Sequence, residues 1–460
     1  MTRHVAVIDI GKTNAKVALV DLADMREVAL RRMANAPVAD GPYPHHDVEL
    51  LWSFILDSLA GINRERRIDA ISITTHGATG VLVDAAGKLA LPVLDYEFAG
   101  PDALAGDYAA IRPAFAETGT PRLPVGLNLG AQFFWQQRNF PAEFAKAAAM
   151  LMYPQYWALR LTGVAANEVT SLGCHTDLWN PWRAEFSSLV DKMQWRRLMA
   201  PVRPAKDRLG PILPALATRT GLDPQTPVFC GLHDSNASLL PHILSDKPPF
   251  SVVSTGTWVV SMAVGGRKVE LDPTRDTLVN VNALGDPVPS ARFMGGREFS
   301  LLTEGQSEDW TEDDVEAVFA RAVLLLPATQ QGSGPFPHHV ATWLNADAIR
   351  NGQRFAAVSF YLALMTATCL DLIGADGPAI VEGPFARNRL FTRMLAAATG
   401  RPVIASEAAT GTSIGAALLA SDQRMVQGKG ERIEPPADPA WANYARSWHA
   451  AVDAQGRKQT

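Results

Sequence analysis

The chain has 460 residues, with 42 Lys and Arg against 47 Asp and Glu, giving a formal net charge of −5. That length exceeds what one hydrophobic core supports and points to several domains. With 47% hydrophobic residues the chain has ample apolar surface to bury, which excludes global disorder, and its acidic balance argues against a general nucleic-acid binder, which needs a basic face.

The first 35 residues read as strands. HVAVIDI is short and β-branched, GKTN is a turn cluster, KVALVDL is a second strand, and Arg26 to Met33 suits a third. Strands this close in sequence must be antiparallel, because a parallel return needs a crossover of a dozen residues or more. IDAISITTHGATGVLVDAAGKLALPVL again reads as strand, polar tip, strand, turn, strand, and an Ala-rich helical pattern runs from Ala103 to Leu161. A second strand–turn–strand, PFSVVSTGTWVVSMAV, repeats the design of the N-terminus. It is followed by a helix over 351–373, the strand and turn GPAIVEGP, a helix to Ala398, the strand RPVIAS and the helix of GTSIGAALLA. The expected organisation is α/β in two halves: a first domain over 1–245, a second over 246–425, and a peripheral cap over 426–460.

Cys174, Cys230 and Cys369 lie far apart, with no metal spacing, and read as small buried hydrophobes of a reduced compartment. No run of 18 or more apolar residues suggests a membrane span, and the polar start MTRHVAVIDIG lacks a signal-peptide core. The cytoplasm is the expected compartment, with neither nucleic acid nor membrane as partner and a homodimer as the default assembly.

In Asp9-Ile10-Gly11-Lys12-Thr13-Asn14 a carboxylate ends a strand and small polar residues form the tip. Such tips expose successive backbone N–H groups that cradle anions, and Lys12 adds a charge. Asp9 suits a Mg²⁺ ion held largely through water. The tip Ser254-Thr255-Gly256-Thr257 repeats the design in the second half, and two such hairpins facing one another across a cleft would hold a polyphosphate. Gly231-Leu232-His233-Asp234-Ser235-Asn236 lies between a strand and a helix, where open α/β folds place ligands. Asp234 there suits a general base for a substrate hydroxyl, against the plainer reading of a helix N-cap. GxSxG at Gly411–Gly415, with Asp438 and His449 following, matches hydrolase order, but too little chain remains to build that fold. The pairs His45-His46 and His338-His339 read as surface loops, and Trp179 and Trp182 as packing residues.

Taken in order from Val5 to Ala420, AVIDIGKTNAKVALVDL, THGATGVLVDAAGKLALPVLDYE, QYWALRLTG, GLHDSNASLLP, STGTWVVSM, VEGPFARNRLFTRMLAAATGRPV and ATGTSIGAALLA resemble the FGGY family of carbohydrate kinases, of the sugar kinase/Hsp70/actin superfamily. The resemblance implies two ribonuclease-H-like (actin-like ATPase) domains closing over ATP and sugar. It implies Asp234 as general base, Asp9 toward Mg²⁺–ATP, and Gly11, Lys12, Thr13 and Asn14 with Thr255, Gly256 and Thr257 at the phosphates. Gly383, Phe385 and Asn388 fall at the adenosine turn, and His76 and Asp95 where sugar hydroxyls are recognised. Asp95-Tyr96-Glu97 stands where the family has Asp-x-Arg. His233, Asn128 with Gln132, and Asn167-Glu168-Val169-Thr170 resemble rhamnulokinase and its deoxyketose relatives, which points to L-rhamnulose or L-fuculose as substrate. Xylulose, ribulose or erythritol-type kinases are the alternatives, as is a non-catalytic sugar or nucleotide sensor on the same scaffold.

Overall fold

The computed structural model describes residues 2–406, 411–421 and 430–457. These form two compact units, one built from Met1–Ser245, Val279–Pro287 and Thr410–Val426, the other from Asp246–Leu278, Val288–Ala409 and Gln427–Thr460. The expected domains therefore differ in three places, the first being Val279–Pro287, which belongs to the first unit. Helix Thr412–Ala417 packs in the first unit, where Gly415 sits so close to the Ala237 carbonyl that a Cβ would lie 1.7 Å from it. The expected cap belongs to the second unit. The 425/426 boundary, and Ala409 and Thr410 of the last motif, lie outside the described residues.

In the first unit a mixed sheet runs Arg208–Pro211, Pro227–Phe229, Ala70–Thr75, His4–Ile10, Asn14–Asp21, Arg26–Ala34, with Leu232–His233 also pairing Ala70–Thr75. The opening strands are antiparallel, as their short turn requires. Ala70–Thr75 is parallel to His4–Ile10, because the 18-residue helix Val48–Glu65 supplies the crossover. That helix starts where Asp47 accepts the Leu50 N–H at 2.9 Å, and buries Leu51, Ile55, Leu59 and Ile62, one face at helical spacing. Within the expected Ala-rich helical stretch, Ala149–Met152 is a strand, paired with Gly80–Val83.

The second unit holds most of a seven-stranded sheet ordered Thr277–Val281, Pro287–Phe293, Val259–Val264, Phe250–Thr255, Ala379–Glu382, Val403–Ala405, Glu431–Ile433, of which residues 279–281 and Pro287 are counted in the first unit. Its central helix, Asn351–Leu372, is apolar around most of its circumference and correspondingly buried. It is long and apolar enough to cross a bilayer, but 89% of its apolar window is buried inside the fold. The terminal helix Pro439–Gly456 lays Trp441, Tyr444 and Trp448 into this core, with the Trp448 indole N–H donating to the Leu325 carbonyl at 2.7 Å. Residues expected as a peripheral cap thus complete the core.

Candidate active site

Strand register assembles the site of the first unit. Ile10 pairs with Thr75, and Thr75 with His233, so three parallel-running strands end together. Asp9, His76 and Asp234 are therefore carried on one edge, the carboxyl ends of the strands, where open α/β sheets place ligands. The His76 N–H fixes the alignment by donating to the Ile10 carbonyl at 2.9 Å.

Asp234 is the first residue of helix Asp234–Ser245. Its Oδ1 accepts from the Ser235 N–H at 2.6 Å and lies 3.1 Å from His233 Nε2. Oδ2 has no protein partner among the described residues, and 32% of the side chain remains exposed. Loss of hydration pushes the carboxyl above the ordinary carboxylate range, while His76 pulls it down. His233 is buried, which pushes its imidazole down to about 4 and leaves it neutral at pH 7. Gly77 makes room for that ring, since a Cβ there would lie 2.7 Å from His233 Nε2.

Asp9 is 6% exposed and ion-paired with Lys16 at 3.2 Å. Burial pushes its carboxyl up to about 6, against the pull of Lys16. His76 places Nδ1 2.9 Å from the Gly77 carbonyl. Nδ1 therefore carries the hydrogen, and buried Nε2, with no partner of its own, is a bare acceptor. Burial holds the ring below its ordinary pKa.

At the first tip, the Gly11 N–H donates to the Asn14 carbonyl at 2.9 Å, leaving Thr13 and Asn14 exposed. Lys12 does not project freely toward an anion. Its ammonium is ion-paired with Asp95, lies 3.3 Å from Glu97, and sits 5.0 Å over the Tyr96 ring. Asp95 and Glu97 thus share the Lys12 ammonium as their cation.

Asn128 and Gln132 hold backbone. Asn128 accepts from the Leu123 N–H at 2.8 Å and donates to the Pro121 carbonyl at 3.1 Å. Gln132 donates to the carbonyls of Ala78, at 2.6 Å, and Gly126.

The sequence reading missed His46. It is 1% exposed, its ring packs 5.2 Å from His76 and 5.6 Å from Tyr153, and neither ring nitrogen has a hydrogen-bond partner. The expected surface loop is corrected accordingly. The sequence around it carries no such signal; in the structure His45–His46 pairs with Pro37–Val38. Trp179 is buried as expected, whereas Trp182 is 52% exposed. Ser413 is fully buried in its helix and Asp438 caps the terminal helix through the Ala440 N–H, so neither is placed as a hydrolase group.

In the second unit the tip Thr255-Gly256-Thr257 borders a cavity of about 850 Å³ shared with Phe385 and Asn388. Arg297, Phe299 and Trp310 are among its other lining residues; they lie outside every recognised motif. The Phe299 and Phe385 rings meet edge to face at 5.5 Å. The Thr255 hydroxyl donates to the Glu382 carbonyl and accepts from the Phe385 N–H at 3.1 Å, which ties the tip to the turn after Ala379–Glu382. Gly383 lies in that turn at φ +83°. Asn388 caps helix Arg389–Thr399 by accepting from the Phe391 N–H at 3.1 Å, and its amide donates to Ser359 at 2.9 Å. The three cysteines are buried and unbridged, and no group of three or more His, Cys, Asp or Glu among the described residues could hold a metal ion alone.

Residues 4–241 match the N-terminal domain of the FGGY family of carbohydrate kinases, and residues 247–428 match the carbohydrate kinase FGGY C-terminal domain. A carbohydrate kinase from Novosphingobium aromaticivorans is 39% identical, covering 98% of this chain and 99% of its own, with a TM-score of 0.91. A ligand-bound xylulose kinase from Lactobacillus acidophilus covers 99% of both chains at a TM-score of 0.79 and 14% identity. An L-fuculokinase from Salmonella typhi is 26% identical over 272 residues, a match spanning 57% of this chain and 57% of the relative's length. The likeness over nearly the whole chain makes this an α/β fold of two actin-like ATPase domains.

Proposed function

Because the chain belongs to the FGGY family of carbohydrate kinases, we propose that it transfers the γ-phosphoryl group of ATP to a hydroxyl of a free neutral ketose, with Asp234 as general base. The supporting observation is the free Oδ2 of Asp234 at the carboxyl ends of the strands, beside the bare His76 Nε2. Asp234 takes the proton of the sugar hydroxyl as its oxygen attacks the γ-phosphorus; the bond to the β-phosphate oxygen breaks and ADP leaves. Orientation by the protein carries the rate, since little covalent chemistry falls to it.

The second unit's cavity suits the nucleotide, with aromatic walls at Phe299, Phe385 and Trp310 for the base and Arg297 for anionic oxygens. Mg²⁺ would arrive with ATP, because Asp9 is a single carboxylate suited to a water-mediated contact; once bound, the ion neutralises phosphate charge.

Four carboxylates, Asp9, Asp95, Glu97 and Asp234, stand in the first unit's site against Lys12 and Lys16. That balance disfavours an anionic sugar acid. A deoxyketose such as L-fuculose or L-rhamnulose, in its ketose form, is the leading substrate, supported by the L-fuculokinase relative and by His233 beside Asp234. Asn128 and Gln132 then shape the loops around the sugar rather than touch it.

ADP release with Mg²⁺–ATP across ketoses, aldoses, polyols and aldonates, against a no-sugar blank, tests this reading. One neutral ketose should stand well above the blank and aldonates near it. Binding of ATP without turnover of any sugar would favour a sensing role instead. His46→Phe keeps a ring of similar shape but removes both nitrogens behind His76. It should raise the sugar KM by roughly tenfold by displacing the His76 ring against which it packs, the equivalent of about 1.4 kcal/mol, with the ATP KM unchanged; an unaltered sugar KM would place His46 outside recognition.

A further inference from the structure

The segment Asn167-Glu168-Val169-Thr170 has no part in the chemistry just described, yet it reaches, through Thr170, the strand Leu232–His233 that leads into the base. Asn167 is buried and stitches the neighbouring strand, accepting from the Met152 N–H at 2.8 Å and donating to the Met150 carbonyl at 2.9 Å. Glu168, with 0% exposure, caps the short helix Val169–Leu172. Its Oε2 accepts twice from Thr170, from the N–H at 2.9 Å and from the hydroxyl. That hydroxyl in turn accepts from the His233 N–H at 2.9 Å, across 63 residues of sequence. On the other side of the same loop, Gln155 donates to the carbonyls of Cys230 and Gly231 at 3.0 and 3.1 Å. The backbone entering Asp234 is therefore gripped by an acceptor at its N–H and a donor at its carbonyls.

We propose that Glu168 and Thr170 are positioning residues for the general base: the carboxyl fixes the Thr170 hydroxyl, and the hydroxyl sets the place of His233 and hence of Asp234. This rests on the reading of Asp234 as base. Glu168 performs the task as a neutral acid. Its hydrogen-bond partners are the hydroxyl and backbone amides of its own short helix, with no cation among them, and its other oxygen is buried without a partner. Burial pushes the carboxyl up to about 8, against the pull of Thr170. A neutral carboxyl has the acceptor pattern of an amide oxygen, so glutamine can replace it whereas alanine cannot.

Steady-state kinetics of Thr170→Val, Thr170→Ser, Glu168→Gln and Glu168→Ala, each with its Tm and its ATP affinity by calorimetry, test the assignment. Thr170→Val should lower kcat by roughly ten- to hundredfold, as a misplaced catalytic group does, with ATP affinity unchanged. Thr170→Ser should recover to within about threefold, because it restores the acceptor. Glu168→Gln should stay close to the parent and Glu168→Ala should fall with Thr170→Val. In an Asp234→Asn background, Thr170→Val should cost nothing further, since there is no base left to position. Parental kcat in Thr170→Val, equal impairment of valine and serine, or a loss that persists in the Asp234→Asn background would overturn the positioning role. Damage from Glu168→Gln equal to that from alanine would overturn the neutral acid. Should Thr170→Val not fold, the serine and glutamine variants still decide. Parental turnover in Asp234→Asn alone would instead remove the general-base reading.

Discussion

Asp234→Asn is expected to lower kcat by roughly 10²–10⁴-fold, the usual weight of a general base, while ATP binds as before. Asparagine keeps the size of the side chain and an acceptor for the Ser235 N–H, but it has no lone pair basic enough to take a proton at Oδ2. The 2.6 Å bond to Ser235 and the 3.1 Å approach of His233 hold the group from one side only, so the loss should be chemical rather than conformational. Its pH signature follows from the sign of the shift. Burial raises the Asp234 carboxyl, and the base is active only when ionised, so kcat/KM should fall with decreasing pH at values above those of an ordinary aspartate. Asp9, pushed up to about 6, titrates in the same direction. Asparagine at 234 should leave a residual rate without the part of that limb due to the base. A loss of less than tenfold, or an unmoved acid limb, would assign the proton transfer elsewhere.

What the sequence disclosed was what local pattern encodes. Asp9 and Asp234 end short β-branched strands and begin a turn or a helix, and each hairpin tip is written in consecutive residues, so strand ends and tips were legible. The parallel register that brings Asp9, His76 and Asp234 to one edge depends on pairings more than 60 residues apart and was reached only through resemblance. His46 reads as half of a polar pair before a helix cap; its burial is decided by His76 and Tyr153, which no window around it contains. Lys12 reads as a phosphate ligand because its tip does, and only the return of 95–97 beneath it gives the ammonium another partner. The cavity walls Arg297, Phe299 and Trp310 follow no motif, because they need to be flat or charged at the right place in space and nothing more.

Gly383→Ala should have the largest effect in the second unit. The residue sits at φ +83° and ψ −161°, a region essentially closed to side chains, at a cost of about 1–3 kcal/mol. A Cβ there would also lie 2.1 Å from the Thr255 carbonyl and 2.8 Å from its hydroxyl, and relieving such overlap adds typically about 1–3 kcal/mol. The residue that must move is Thr255, whose hydroxyl is bonded to Glu382 and Phe385, so the strain falls on the tip Thr255-Gly256-Thr257 and on one wall of the cavity. The combined cost of about 2–6 kcal/mol should appear as a lowered Tm, and the displacement it forces on the tip and the cavity wall should weaken ATP binding by roughly tenfold, as loss of about 1.4 kcal/mol of binding contacts does. Gly400→Ala is the control: that glycine also has positive φ, at +64°, but a Cβ would meet nothing within 4 Å. Alanine at 400 should cost about 1 kcal/mol and leave ATP binding unchanged. Should the 383 variant bind ATP as tightly as the parent, the turn after Ala379–Glu382 would not belong to the nucleotide site, and the cavity beside it would have to be assigned to another ligand.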